Sequence, residues 1–123
     1  GAERVDPLRN PAQLEILRAV PDSISVLAPD YAFARLANRR QVCIIGSLEE
    51  RALEPAVLNQ FDGVIIDLAP ESFESGRYPE LLPALYDHLL KDKSYREEAA
   101  AGGIHLFLRD GSFSPPPGGS PGR

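Results

Sequence analysis

Three short apolar runs within the first 68 residues constrain the fold most. Residues 24–28, 42–45 and 63–68 each consist mainly of aliphatic side chains and have the length of a strand. Helical patterns separate them, and apolar strands without alternation are typical of a parallel sheet that is covered on both faces. The runs therefore predict βαβ units, in which right-handed crossovers favour the strand order 2-1-3.

Four helical patterns accompany these strands. The first begins at Pro11 and ends at Pro21, since proline suits the first helical turn and cannot continue a helix. The second follows Asp30, a good N-cap residue. It is expected to bury three apolar side chains: Phe33, Leu36 and Ala37. The third, over residues 48–60, is weakly patterned, whereas the fourth begins at Pro79 and carries leucines at helical spacing.

The last part of the pattern predicts a β-hairpin. Residues 95–100 precede a Gly-Gly pair, and apolar side chains alternate over residues 104–109, as expected for two strands joined by a tight turn. The alternative is that residues 96–101 prolong the preceding helix, because Glu-Glu-Ala-Ala-Ala favours helix intrinsically. We prefer the hairpin, because a helix from 79 to 101 would be unusually long for so small a domain.

Together these elements predict a small three-layer α/β sandwich, Rossmann-like, with a mostly parallel sheet and a C-terminal antiparallel hairpin. The 123 residues suit a single domain, which we place at 1–110, followed by a tail rich in proline, glycine and serine at 111–123. No leader and no run of about 20 apolar residues is visible, so the chain as given is not expected to span a membrane. Because the sequence begins with Gly1 and not with Met, we expect it to be a fragment of a longer protein.

Charge and cysteine content exclude several classes of function. The net charge is -5, whereas binding to a nucleic-acid backbone calls for clustered Lys and Arg. The single cysteine, Cys43, excludes an internal disulfide and is expected to be a small core residue. With only His88 and His105 to help, it cannot assemble a zinc site. We therefore expect no nucleic-acid partner, no metal and no cofactor.

No catalytic motif stands out. Neither histidine has a nucleophile at a recognisable spacing, and no serine lies in a Gly-x-Ser-x-Gly elbow. The first strand-to-helix turn, residues 28–31, contains no glycine to cradle a phosphate and adds a negative charge, so dinucleotide binding is not expected. We assign no catalytic residue. Whether the protein has enzymatic activity stays open, but this chain alone is not expected to be an enzyme.

A candidate ligand site lies at the carboxyl ends of the first and third strands, where open α/β sheets bind ligands. Asp30 and Asp67 are expected to approach each other there, and two carboxylates can hold a divalent cation or serve as acid and base. The preferred alternative is that Asp67 accepts backbone hydrogen bonds in the following loop and Asp30 caps its helix. The candidate pocket is lined by five residues: Pro29, Asp30, Tyr31, Ser47 and Asp67.

One basic cluster stands out in this acidic chain. Arg35, Arg39 and Arg40 lie close together in sequence. Guanidinium groups bind carboxylates and phosphates well, so the cluster can meet an acidic or phosphorylated group. The alternative is that it solvates a helix end and interacts with the helix dipole.

Several stretches of sequence carry a family resemblance. They are Pro-Asp-Ser-Ile-Ser-Val at 21–26, Leu-Ala-Asn-Arg at 36–39, Phe-Asp-Gly-Val-Ile-Ile-Asp-Leu at 61–68 and Gly-Gly-Ile-His-Leu-Phe-Leu-Arg at 102–109. They resemble the C-terminal soluble domain of an uncharacterised family of bacterial polytopic membrane proteins, distantly similar to the dolichyl-phosphate-mannose type of glycosyltransferase. The likeness covers residues 12–109, although Gly-Ser-Leu at 46–48 departs from it, since the family tends towards an aromatic residue there.

The resemblance implies a non-catalytic accessory domain on the extracytoplasmic side of a membrane. Such a domain would pack on the membrane-embedded portion of its own parent chain, cover its substrate cleft, or bind a glycan or a protein partner. It carries over no catalytic residue, because the acidic loops of the parent are not in this sequence. The alternatives are an independent small α/β ligand-binding module or enzyme that uses the candidate pocket, and an interaction domain in the cytoplasm.

Overall fold

One mixed sheet of five strands organises the chain in the computed structural model, which describes residues 11–36 and 41–110. The strands are β1 (Ser25–Ala28), β2 (Gln41–Ile44), β3 (Gly63–Asp67), β4 (Tyr95–Ala101) and β5 (Ile104–Arg109), in the order β2-β1-β3-β5-β4. β1 runs parallel to β2 and β3, whereas β5 is antiparallel to β3 and β4. The mixed α/β class, the order 2-1-3 and the hairpin are confirmed. The sheet is only partly parallel, so the prediction of a mostly parallel sheet is wrong.

Short helices connect the strands. The α-helices are α1 (Pro11–Arg18), α2 (Ile45–Leu48), α3 (Pro55–Leu58), α4 (Phe73–Arg77) and α5 (Leu81–Lys91). Three 3-10 turns lie at Asp30–Ala32, Ala34–Leu36 and Glu49–Leu53. Pro11 opens α1 as predicted, while the weak helical pattern over 48–60 is divided among α2, one 3-10 turn and α3. The predicted tail at 111–123 and the residues Ala37, Arg39 and Arg40 lie outside the described residues.

The segment after β1 differs from the predicted helix. Two 3-10 turns occupy it, and the first has Pro29 as its N-cap with no side-chain hydrogen bond, so the prediction that Asp30 caps this segment is wrong. Each turn is only three residues long, too short to repeat an apolar stripe at helical spacing. Leu36 is buried as expected, whereas Phe33 is 49% exposed.

The apolar core lies on both faces of the sheet, because successive strand residues point to opposite sides. On one face, Leu27, Ile66 and Phe107 pack with α5 and the helices between β2 and β3. On the other, Val26 and Ile65 pack with α1 and the 3-10 turns after β1. Helical elements thus cover both faces of the sheet. The carboxyl ends of β1 and β3 lie between these two helical layers.

β2 is an edge strand, as the predicted order 2-1-3 requires, but it is not covered on both faces as its apolar run predicted. It pairs only with β1 among the described strands, and its residues are exposed or half-buried. Ile45, predicted to end the strand, instead begins α2 and is fully buried. Cys43 is half-buried at the border of the core, with its Sγ 3.5 Å from Ser47 Oγ.

Tyr95 fixes the start of the hairpin to the crossover before β3. Its buried hydroxyl lies 3.0 Å from the carbonyl oxygen of Leu58 and 2.8 Å from that of Phe61, and it donates to this pair of acceptors. We expect Tyr95→Phe to lower the free energy of unfolding by about 1–2 kcal/mol, because the buried carbonyls lose this donor. Urea denaturation measures the change. The control is Tyr86→Phe, whose hydroxyl makes no hydrogen bond within the described residues, and equal losses in the two variants would contradict the prediction.

Candidate functional site

The carboxyl ends of β1 and β3 are neighbours, as the parallel pairing requires, and we call this end of the strands the site edge. The Tyr31 hydroxyl donates to Asp67 Oδ2 over 2.8 Å, and the Ala69 N–H donates to Asp67 Oδ1 over 3.0 Å. Asp67 is only 2% exposed, so its carboxyl group is enclosed by the protein and both oxygens are in use.

Glu74 is a second buried carboxyl group at the same edge. It lies in α4, is 3% exposed, and accepts the Asp30 backbone N–H on Oε2 over 2.9 Å. Its Oε1 has no hydrogen-bond partner among the described residues. Because the Asp30 N–H belongs to the first residue of a 3-10 turn, it has no acceptor within that turn, and the Glu74 carboxyl group provides one.

Serines hold α4 on the end of β3. Ser72 is the N-cap of α4 and accepts the Ser75 N–H over 3.1 Å, as short hydroxyl side chains commonly do at helix starts. The Ser72 and Ser75 hydroxyls both lie within hydrogen-bond distance of the Asp67 carbonyl oxygen, at 3.3 and 3.4 Å. These contacts fix α4 so that Glu74 faces inward.

Burial dominates the electrostatics of this cluster. It raises the pKa of the Asp67 carboxyl, against the opposing effect of the donors Tyr31 and Ala69, and it raises the pKa of Glu74 against the effect of the Asp30 N–H. Burial and the neighbouring Asp67 also raise the pKa of the Tyr31 hydroxyl, which therefore remains a protonated donor. Tyr31 and Asp67 form an internal hydrogen-bonded pair, and Glu74 holds the Asp30 backbone beside them.

The structure brings together some of the five predicted site residues. Tyr31 meets Asp67 directly, whereas Asp30 reaches the cluster through its backbone and has an exposed side chain. Pro29 is buried. Ser47, in α2, is exposed and donates to the Ile44 carbonyl oxygen over 2.7 Å. The prediction that Asp67 accepts a backbone hydrogen bond in its following loop is confirmed.

Glu74 is the buried residue that the sequence analysis missed. The sequence analysis assigned no helix between the third apolar run and Pro79, and the structure places the five-residue helix α4 there. The sequence does contain a local signal for α4, because Ser72 is a good N-cap residue and is followed by an acidic residue in the first turn. No local pattern indicates that the carboxyl group reaches Asp30, which lies 44 positions earlier in the chain.

Two phenylalanines are exposed at this same edge, and we call them the aromatic edge patch. Phe33 lies between the 3-10 turns after β1 and Phe73 begins α4, with side chains 49% and 70% exposed. The Asp30 N–H to Glu74 hydrogen bond joins the two segments that carry them. The edge therefore encloses its carboxyl groups Asp67 and Glu74 and presents aromatic rings to solvent.

The two histidines have partners of their own. The His105 ring lies 4.6 Å from the Tyr86 ring, measured between centroids, and its Nδ1 contacts Glu97. His88 lies 3.7 Å from Asp92, the residue that follows the end of α5. These contacts place both histidines in packing or at the surface.

Residues 11–36 and 41–110 contain no group of three or more His, Cys, Asp or Glu side chains placed to hold a metal ion. Within the same residues, no helix combines the length and apolar character that crossing a bilayer demands. Comparison with protein-family models, with curated proteins and with solved structures finds no match in any of the three.

Proposed function

We propose that this chain is a non-catalytic accessory domain of a larger membrane protein, and that it packs on the membrane-embedded portion of its own parent chain through the aromatic edge patch. One observation carries the proposal. At the edge where α/β proteins bind their ligands, Asp67 and Glu74 are buried while Phe33 and Phe73 are exposed. Exposed aromatic side chains are typical of contact surfaces, and a polar site needs accessible polar groups.

The resemblance seen in the sequence supports the same proposal. Its stretches at 21–26, 61–68 and 102–109 fall on β1, β3 and β5 and their approaches, the three adjacent strands of the sheet. We propose that the fold is a Rossmann-like variant, on the basis of the parallel order 2-1-3 with helical elements on both faces. The resemblance also supports an extracytoplasmic location for the domain.

The size of the patch suits docking within one chain. Fully burying an exposed phenylalanine stabilises a contact by roughly 1.5–3 kcal/mol. Because Phe33 and Phe73 are 49% and 70% exposed, the two together contribute on the order of 2–4 kcal/mol before the costs of association. That is weak for separate proteins. It is enough for a domain tethered to its partner, because a short linker gives an effective concentration in about the millimolar range.

The parent chain tests this function. Hydrogen exchange, measured on the membrane-embedded parent and on this chain alone, should show added protection of residues 30–36 and 72–77 in the parent. Phe33→Ser with Phe73→Ser should remove that protection, because serine abolishes the apolar contact. It should leave the melting temperature of the chain alone nearly unchanged, since both side chains are exposed.

Leu90→Ser is the matched control. Leu90 is 52% exposed and lies near the end of α5. The chain continues from there into the start of β4, at the opposite end of the strands from the aromatic edge patch. Its replacement should leave the protection of residues 30–36 and 72–77 intact. Equal exchange in parent and isolated chain, or a native reading frame without membrane-spanning segments, would contradict the proposal.

A further inference from the structure

An open cavity lies between α1 and the second 3-10 turn after β1. Its volume is about 180 Å³ and its lining is Leu14, Leu17, Arg18 and Arg35. At about 30 Å³ per water molecule, it has room for about six waters. Since drug-sized ligands occupy pockets of about 300 Å³ and more, this cavity suits one small group.

The lining divides into an apolar part and a cationic part. Leu17 is buried and Leu14 is half-buried, whereas Arg18 and Arg35 are both exposed. Neither guanidinium forms an ion pair or hydrogen bond within the part of the chain that the structure describes. Glu15, one turn before Arg18 on α1, is exposed and does not pair with it there. Two cations thus line one cavity without a bound counter-charge from the described residues.

We propose that this cavity binds a phosphate monoester that carries a small apolar substituent. The two guanidiniums match the two negative charges of a phosphate dianion, and each can donate two parallel hydrogen bonds to its oxygens. The two leucines then exclude water from the substituent. A carboxylate offers one charge to the same two cations and binds less well. The inference is independent of the proposed docking, because it uses neither Phe33 nor Phe73.

Titration of the 123-residue chain with three probes tests the site. At low salt, where exposed charges are least screened, butyl phosphate should bind with saturation and shift the backbone NMR signals of Leu14–Arg18 and Ala34–Leu36. Inorganic phosphate, which lacks the apolar substituent, should bind about tenfold more weakly. Butyrate, which has one charge, should also bind about tenfold more weakly.

Substitutions at the two arginines locate the binding. Arg18→Gln and Arg35→Gln should each weaken butyl phosphate binding by about tenfold. Arg51→Gln is the control, because it removes the same charge from an exposed arginine in the 3-10 turn packed against the other face of the sheet. Circular dichroism confirms that each variant is folded, which is expected because all three side chains are exposed.

Three outcomes would overturn the proposal: no saturable binding of butyl phosphate up to about 10 mM, butyrate bound as tightly as butyl phosphate, or Arg51→Gln weakening butyl phosphate binding as much as the other two substitutions.

Vesicle flotation identifies the source of the monoester if butyl phosphate binds. Binding to phosphatidylcholine vesicles that contain phosphatidic acid, and not to pure phosphatidylcholine, supports the site and assigns a lipid headgroup. Binding of butyl phosphate without flotation supports the site and assigns a soluble monoester.

Discussion

Gly103→Ala is expected to lower the free energy of unfolding by about 2–4 kcal/mol, the largest loss for any single methyl group added to the described glycines. Gly103 has φ +85 in the turn between β4 and β5, a left-handed conformation that costs other residues about 1–2 kcal/mol. A Cβ atom there would also lie 3.0 Å from the Ala69 backbone nitrogen and 3.2 Å from the Ala69 Cβ. Backbone cannot rotate away, so the clash adds to the strain.

This glycine matters because it joins the hairpin to the site edge. Its carbonyl oxygen accepts the Leu68 N–H over 2.8 Å, directly after Asp67. Gly76→Ala is the control, since an added Cβ at that position in α4 meets nothing within 4 Å and alanine favours helix over glycine. Thermal unfolding should show a decrease of about 10 °C or more for Gly103→Ala and none for Gly76→Ala. Equal melting temperatures for wild type and Gly103→Ala would refute this packing of the hairpin.

The sheet could be predicted because its signals are local. Apolar runs without alternation indicated β1 and β3, and the alternation over 104–109 indicated β5. The strand β4 was the harder case, since Glu-Glu-Ala-Ala-Ala favours helix. It is a strand in the structure because β5 provides a hydrogen-bonding partner along its length. Its charged side chains suit an edge that must not pair with other chains.

The missed features depend on contacts between distant parts of the chain. β2 has an apolar sequence like a central strand, but its place at the sheet edge follows from the strand order and leaves it half-exposed. Phe33 has the spacing of a core residue only if its segment is one continuous helix, and two 3-10 turns occupy that segment instead. The sequence pattern correctly placed Asp67 at the carboxyl end of the third strand. It did not indicate that Tyr31 would be its partner, because that contact spans 36 positions.

The inward orientation of Asp67 links the fold to the proposed function. A carboxyl group that accepts from Tyr31 and Ala69 is not available to coordinate an ion or attack a substrate. The Tyr31 hydrogen bond holds the segment that carries Phe33. Separate hydrogen bonds, from the Asp30 N–H to Glu74 and from the Ser75 hydroxyl to the Asp67 carbonyl oxygen, hold the segment that carries Phe73. A stability measurement on Asp67 therefore tests the framework on which the docking surface is built.

Asp67→Ala is expected to lower the free energy of unfolding by about 2–4 kcal/mol, because the Tyr31 hydroxyl and the Ala69 N–H both lose their acceptor in a buried place. Asp67→Asn should cost much less. Its amide oxygen can still accept the Ala69 N–H, and its amide nitrogen can donate to the Tyr31 oxygen. Urea denaturation of the two variants beside wild type measures the difference. Similar losses in both would show that shape, and not hydrogen bonding, explains the effect.

The pH dependence of the same pair tests the charge on Asp67. Burial raises the pKa of this carboxyl in the folded protein, so the folded state holds the proton more tightly than the unfolded chain, whose pKa is about 3.9. The stabilisation from this group is therefore complete below about pH 4 and is lost as the pH rises through the folded pKa. Asp67→Asn cannot titrate, so its stability should improve relative to wild type as the pH rises from about 4 to about 8. Glu50→Gln, which removes a charge from an exposed side chain, is the control, and curves for wild type and Asp67→Asn that run parallel would show that the buried carboxyl is not the titrating group.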